Sequence, residues 1–429
     1  MEMSASPPEQ HAKRATREVV TGMLFVGLLF FILGFVTWLN GSLIPFLKIV
    51  CGLNNFQALW VTFAFYIAYT VMALPSAAVL KRTGYKKGMT LGLGIMGVGA
   101  LLFIPAAQSR HYELFLAALF TLATGMTLMQ TAINPYIVCL GPRESAAMRI
   151  SIMGLFNKGA GIVVPLIFTT LMLKDIDTAS QAVLAQRLVF PYACMAAALF
   201  AIMVFIHVST LREIPLDEGS ADSRIDATSV LQFPQLVLGA LALFAYVGVE
   251  VIAGDTIGLY GHELKVADFG VLTSYTMVCM VIGYLVGVVA IPRTLSQQAA
   301  LVLSAALGVV LTVGVALGST ADASLSRMLL GWTGAPLVPN TVMCLALLGL
   351  ANAMVWPAIW PLALQGLGRH TASASAVLVM AIAGGALLPL LYGHLSDALT
   401  PRQAYWMLLP CYALILWYAL SGHKIRRWR

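Results

Sequence analysis

Three strongly ionisable side chains fall inside long apolar stretches of this 429-residue chain: Lys158, Glu250 and Asp255. An ion at the centre of a bilayer costs about 2.5–3.5 kcal/mol even on lenient insertion scales, so each must face a cavity or an opposite charge. Two readings of the set stay open. It can relay a proton or another ion, or Lys158 can pair with Glu250 or Asp255 and simply fasten two parts of the protein together. Glu250 and Asp255 are five residues apart, about 140° around a regular helix, so a straight helix cannot aim both into one cavity. Gly248, Gly254, Gly258 and Gly261 lie around them. These glycines would allow an unwound segment whose freed backbone lines water or ligand.

Uncharged polar groups recur at helical spacing. Gln130 and Asn134 are one turn apart and precede Pro135, which places two amides on one face just before a kink. Asn352, Trp356 and Trp360 follow an i, i+4, i+8 progression, with Pro357 and Pro361 in the same segment. Trp38 and Asn40 repeat the pairing of indole and amide, and Asn157 adjoins Lys158. An indole offers an apolar plate to the CH face of a pyranose, and amides both donate to and accept from its hydroxyls. The combination suits a hexose. Interhelical hydrogen bonding by the amides and an aromatic belt at the membrane boundary are the structural alternatives.

These residues must be positioned by membrane helices. Apolar residues make up 60% of the chain and charged residues 10%, against about 25% charged in soluble domains. A soluble fold of this size could not cover its surface, and disorder needs far less apolar content. The net charge of +7 is scattered between apolar runs, which does not make the basic groove that nucleic acid requires. Cutting the runs at turn residues and charges predicts helices near 20–47, 57–80, 89–109, 113–141, 150–173 and 187–209. Six more follow near 234–261, 268–291, 298–318, 338–366, 372–396 and 404–421. The class is an all-α polytopic membrane protein with twelve transmembrane helices in two six-helix bundles. Its expected parts are a tail (1–19), the first bundle (20–209), a linker (210–233), the second bundle (234–421) and a basic tail (422–429). The first apolar run is 29 residues long, too long for a signal-peptide core, so the first helix is expected to stay.

With both termini in the cytoplasm, 17 of the 25 Lys and Arg fall in the tails and cytoplasmic loops and 7 in the opposite loops. That bias obeys the positive-inside rule, and the excess charge reads as topology and contact with anionic lipid. GAGIVVPL at 159–166 echoes AGGALLPL at 383–390, and LGPR at 140–143 echoes LGR at 367–369. The echoes fall at equivalent places in the halves, as in a duplicated unit with a binding site between repeats, the pattern of secondary transporters. The six cysteines lie singly and read as packing residues without a metal or disulfide framework.

At the same residues the sequence resembles a known family. FILGFVTWLNGSLIPFLK at 31–48, KRTGYKKGM at 81–89, QTAINPYIVCLGP at 130–142 and PRTLSQQ at 292–298 are similar to the fucose/glucose/galactose permease family of the major facilitator superfamily. GVEVIAGDTIGLYG at 248–261 and WPAIWPLALQGLG at 356–368 look most like its N-acetylglucosamine permease branch. The resemblance implies the major facilitator fold, with a central cavity lined mainly by the first, fourth, seventh and tenth helices. It also implies uptake of sugar with a proton by alternating access. Sugar contacts are then expected from Trp38, Asn40, Gln130, Asn134, Asn157, Asn352, Trp356 and Trp360, and proton coupling or an inter-bundle ion pair from Lys158, Glu250 and Asp255. Fucose symporters carry acids where this chain has Gly41 and Gln130. Binding roles therefore transfer better than coupling roles. The basic loop after the second helix has Lys81 where the wider superfamily usually has Asp.

A membrane enzyme is disfavoured, because no HExxH, no phosphate-binding Gly-rich loop and no clustered His or Cys occurs. No cofactor or metal is expected. The expected partners are a small sugar, a proton and the lipid bilayer, with no nucleic acid, in a monomer of the bacterial cytoplasmic membrane. Glucose or galactose uptake, with proton or sodium coupling, is the nearest alternative, and a non-transporting sugar sensor is more remote.

Overall fold

The structure is a computed structural model that describes residues 8–139, 146–173, 180–209, 231–291, 295–367 and 371–428. Among the described residues, twelve helices are long and apolar enough to cross a membrane. The first six are α1 (Thr21–Cys51), α2 (Asn55–Leu80), α3 (Tyr85–Ser109), α4 (Tyr112–Asn134), α5 (Ile152–Met172) and α6 (Gln181–Val208). The second six are α7 (Pro234–Asp255), α8 (Phe269–Gly287), α9 (Gln297–Leu317), α10 (Asn340–Leu364), α11 (Val377–Ala398) and α12 (Pro401–Leu420). An even number of crossings returns the chain to the end where it began, here called the near end; the opposite end is the far end. The linker expected at 210–233 lies outside the described residues except for 231–233, as do the echoes at 140–143 and 368–369.

The helices form because each is apolar nearly all round, which in lipid leaves intrahelical hydrogen bonding as the only way to satisfy the backbone. Pro45, Pro75, Pro165 and Pro389 sit inside helices, and neighbouring helices can satisfy the groups they free. The sixth helix starts at Gln181, ahead of the expected 187, because Ser180 caps an extra turn by accepting from the Val183 amide at 3.4 Å.

Two helices are interrupted at mid-chain positions that matter for the site. The seventh was expected to run unbroken over 234–261. It stops at Asp255 and resumes as a short helix, Ile257–Glu263, after Thr256. Hydroxyls of α8 satisfy the freed carbonyls: Thr273 Oγ1 donates to Gly254 O at 2.9 Å and Thr276 Oγ1 to Ala253 O at 3.3 Å. The glycine-rich sequence thus yields a one-residue break rather than an extended unwound segment. The tenth helix breaks at Ala353–Met354, between Asn340–Asn352 and Val355–Leu364. Asn352 and the two tryptophans therefore lie on different helical segments, not on one continuous i, i+4, i+8 face.

The halves meet toward the far end. Ser42 Oγ on α1 donates to Gly270 O at 2.8 Å, and Gly41 abuts the Gly254 carbonyl and Thr273 so closely that a Cβ there would collide with both. Farther out, the Lys48 ammonium lies 3.3 Å from Glu263 Oε1. At the start of α2, Asp397 from the end of α11 accepts the backbone N–H groups of Asn55 (3.0 Å) and Phe56 (2.8 Å), while Asn55 Nδ2 donates to Ser396 Oγ at 3.0 Å. A carboxylate of one half thereby caps a helix of the other, satisfying amides that a helix start leaves unpaired.

This cap gives a direct prediction. Losing such a cap costs about 1 kcal/mol, so Asp397→Ala should favour separation of the far ends about fivefold. Nitroxide labels at the exposed far-end residues Val183 and Trp332 would read this by electron–electron distance measurement. An unchanged distance distribution would show that the cap does not contribute to closure.

Candidate functional site

Between α5 and α7, Lys158 Nζ lies 2.7 Å from Glu250 Oε1, with 11% and 12% of the two side chains exposed. The pair joins the two six-helix bundles. Lys158 also sits over the indole of Trp38 on α1, 4.3 Å from the ring centroid. Trp38 Nε1 donates to Asn157 Oδ1 at 3.2 Å. Gly34 sets the distance between α1 and α5, because a Cβ there would strike the backbone carbonyl of Asn157. One turn before Lys158 and on the same face, a Cβ on Gly154 would meet nothing within 4 Å. The inter-bundle contacts of Gly41, Ser42 and Lys48 all lie to the far-end side of the ion pair.

Asp255 occupies a different environment. It is fully buried at the helix break, and its Oδ2 accepts from Thr62 Oγ1 on α2 at 3.2 Å, again across the two bundles. Its Oδ1 has no hydrogen-bond partner among the described residues. The two acids of α7 thus face different helices of the first bundle, as their angular separation requires. Tyr66 on α2 lies close enough to both acids to feel their charge.

On the second bundle an aromatic wall leads up to Glu250. Tyr246 lies one turn earlier on α7, on the same face as Glu250. Its ring centroid lies 6.2 Å from that of Trp356, which is 5.6 Å from that of Trp360. Both tryptophans are half-buried, and Trp360 Nε1 has no partner among the described residues. Asn352 is fully buried; its Oδ1 accepts from Tyr412 on α12 at 2.8 Å, and its Nδ2 has no partner among the described residues.

The expected site residues are therefore brought together in part. Trp38, Asn157, Lys158 and Glu250 form one contiguous set, with Trp356 and Trp360 connected to it through Tyr246. Trp38 is only 2% exposed and Asn40 only 1%, so both lie within the closed interface. Gln130 is half-buried and Asn134 exposed on α4, and the described contacts of the ion pair do not include them. Sequence spacing missed Thr62, Tyr246 and Tyr412. Tyr246 alone carried a local signal, being one turn from Glu250; the other two belong to helices distant in the chain. The described residues contain no cluster of His, Cys, Asp and Glu that could hold a metal, and what they offer is hydrogen bonding, aromatic surface and a breakable inter-bundle ion pair.

Comparison with known proteins agrees with this architecture. A family model described as Major Facilitator Superfamily matches residues 26–389. The chain is 35% identical over 402 residues to a glucose/galactose transporter of Brucella abortus, covering 92% of this chain and 93% of the relative. It is 28% identical over 395 residues to the L-fucose-proton symporter of Escherichia coli, covering 86% and 85%. The crystal structure of the E. coli fucose:proton symporter FucP superposes with a TM-score of 0.68 at 25% identity, covering 94% of this chain and 99% of that one. With twelve helices in two bundles, a polar site between them and a family match over most of its length, the chain belongs to the major facilitator superfamily.

Proposed function

We propose that the protein takes up a hexose together with a proton by alternating access, as a monomer in a bacterial cytoplasmic membrane with both termini inside. One observation carries this reading: the half-buried Trp356–Trp360 pair, a surface suited to a pyranose, connects through the buried Tyr246 to the part of α7 that carries Glu250, which holds the two bundles together through Lys158. The names of the relatives support sugar as cargo and a proton as its companion, and the charge bias supports the orientation. On that orientation the closed far end is the outer face.

In this reading Trp356 and Trp360 stack on the sugar ring, and Asn157, Gln130 and Asn134 serve its hydroxyls, while Asn352 is engaged by Tyr412. Glu250 and Lys158 form the latch, and Asp255 carries the proton. A carboxylate without water and with one hydroxyl donor is costly, so the outer seal closes over Asp255 when that acid is neutral. Loading from outside would thus favour closure, which is the differential proton binding that coupling requires. The acid that fucose symporters place on the first helix is replaced here by Gly41, whose tight seat against Gly254 leaves no room for a carboxyl. Asp255 adjoins that same glycine and provides an acid in the same region.

Two cargoes have specific support. The resemblance of 248–261 and 356–368 favours N-acetylglucosamine, and the named relatives favour glucose or galactose. The deciding experiment is uptake of radiolabelled N-acetylglucosamine into proteoliposomes with unlabelled sugars as competitors, under an imposed pH gradient or sodium gradient. Competition by hexoses and acceleration by inward-directed protons are expected, whereas uptake driven by sodium alone would refute the coupling. In the same assay Trp356→Ala should weaken apparent sugar affinity about tenfold, the scale of a lost aromatic platform. Unchanged affinity would remove Trp356 from the sugar site.

A further inference from the structure

We propose that Trp38 is a positioning residue for Lys158: its indole face holds the lysine ammonium on the side of Glu250 and so sets the strength of the inter-bundle ion pair. The inference rests on the reading of that pair as the latch of the transport cycle. It assigns Trp38 a role different from the sugar contact expected from its residue type, because the ammonium occupies the ring face that a pyranose would need.

The indole is fixed from several sides. Its Nε1 is tied to Asn157, the residue before Lys158, at 3.2 Å. Gly161 on α5 presses against its five-membered ring, where a Cβ would come within 2.8 Å of Cδ1 and Cγ. Gly254 on α7 presses against the benzo ring, where a Cβ would come within 2.7 Å of Cζ3. The two glycines therefore seat the indole closely, and the ring cannot swing away from the lysine without displacing α5 or α7. Lysine by itself has a long flexible stem and a compact charge with no directional fork. A desolvated ammonium gains from lying over an indole face, and with the ring at 4.3 Å on one side and Glu250 Oε1 at 2.7 Å it is held between the two. Trp38 and Asn157 belong to the same bundle as Lys158. They can accompany the lysine when the bundles part, keeping the ammonium aimed for recapture of Glu250.

The test measures the ratio of separated to closed far ends with nitroxide amino acids incorporated at Val183 and Trp332, which needs no transport activity. Trp38→Met removes the π face while keeping a large apolar side chain, and should raise the separated fraction about fivefold, the scale of a lost cation–π contact. Trp38→Phe restores an aromatic face without the N–H and should recover the wild-type ratio to within about twofold. In a Lys158→Gln/Glu250→Gln background, Trp38→Met should produce no further change, because the group it positions is gone. A packing role alone would shift the ratio equally in that background, and this result would overturn the proposal. So would Trp38→Phe behaving like Trp38→Met, or Trp38→Met leaving the native ratio unchanged. Should Trp38→Met fail to accumulate, Trp38→Leu enters the same cycle. If single Lys158→Gln and Glu250→Gln variants retain proton-driven uptake, the latch reading fails by itself, and the label distances still report whether Trp38 positions Lys158.

Discussion

Asp255→Asn is expected to abolish uphill sugar accumulation while sparing exchange of sugar across the membrane. Asparagine keeps the shape of the side chain and an oxygen to accept from Thr62, so the seal between α2 and α7 can still close. What disappears is the requirement for a proton. On the proposed coupling the proton favours the closed far end, so by linkage the closed fraction should rise as pH falls, by at most tenfold per pH unit for a single proton. The other ionisable groups around this position are Glu250 on the same helix, Lys158 across the interface and Tyr66 on α2. The variant should show a flat profile if Asp255 is the carrier. Two measurements check this: accumulation in proteoliposomes under an inward proton gradient, expected to fall to simple equilibration, and label distances across pH. Persistent accumulation in Asp255→Asn together with its loss in Glu250→Gln would transfer the proton to Glu250.

The second large effect concerns the latch. Removing one member of a mostly buried ion pair strands the other charge and destabilises by about 3–5 kcal/mol. The residual exposure of the two side chains, 11% and 12%, places the expected effect at the lower end of that range. Lys158→Gln and Glu250→Gln should each shift the bundles toward separated far ends by more than a hundredfold and lower the sugar uptake rate accordingly. The double variant leaves two neutral amides that can bond to each other, and should recover most of the closed population. Uptake rate and label distance measured on the three variants complete the cycle. Equal defects in the singles and the double would mean that the groups act separately and that the 2.7 Å contact is not a functional latch.

Much of this arrangement was legible in the sequence. The number of helices followed from apolar runs long enough to span lipid, and Lys158, Glu250 and Asp255 stood out because ions are so costly there. The glycines around Glu250 and Asp255 foretold a weak point that appears at Thr256, but the sequence did not decide whether it would let both acids share one cavity. The reading of Asn352, Trp356 and Trp360 as one face did not anticipate the break at Ala353–Met354. A spacing rule presumes an unbroken helix, whereas the helix at this point is interrupted.

Composition and periodicity by themselves determined the twelve-helix membrane class and the small set of polar groups that needed an explanation, because burial in lipid penalises each such group wherever it lies. Only the tertiary structure decided which partner each received. Lys158 and Glu250 lie 92 residues apart in the chain and Thr62 and Asp255 lie 193 apart, and nothing local sets the rotation of one helix against another. That rotation is set by close contacts, such as Gly34 on the Asn157 carbonyl and Gly161 and Gly254 on the Trp38 indole. The same contacts turn Trp38 toward a lysine and leave Asp255 in a dry interface with a single donor.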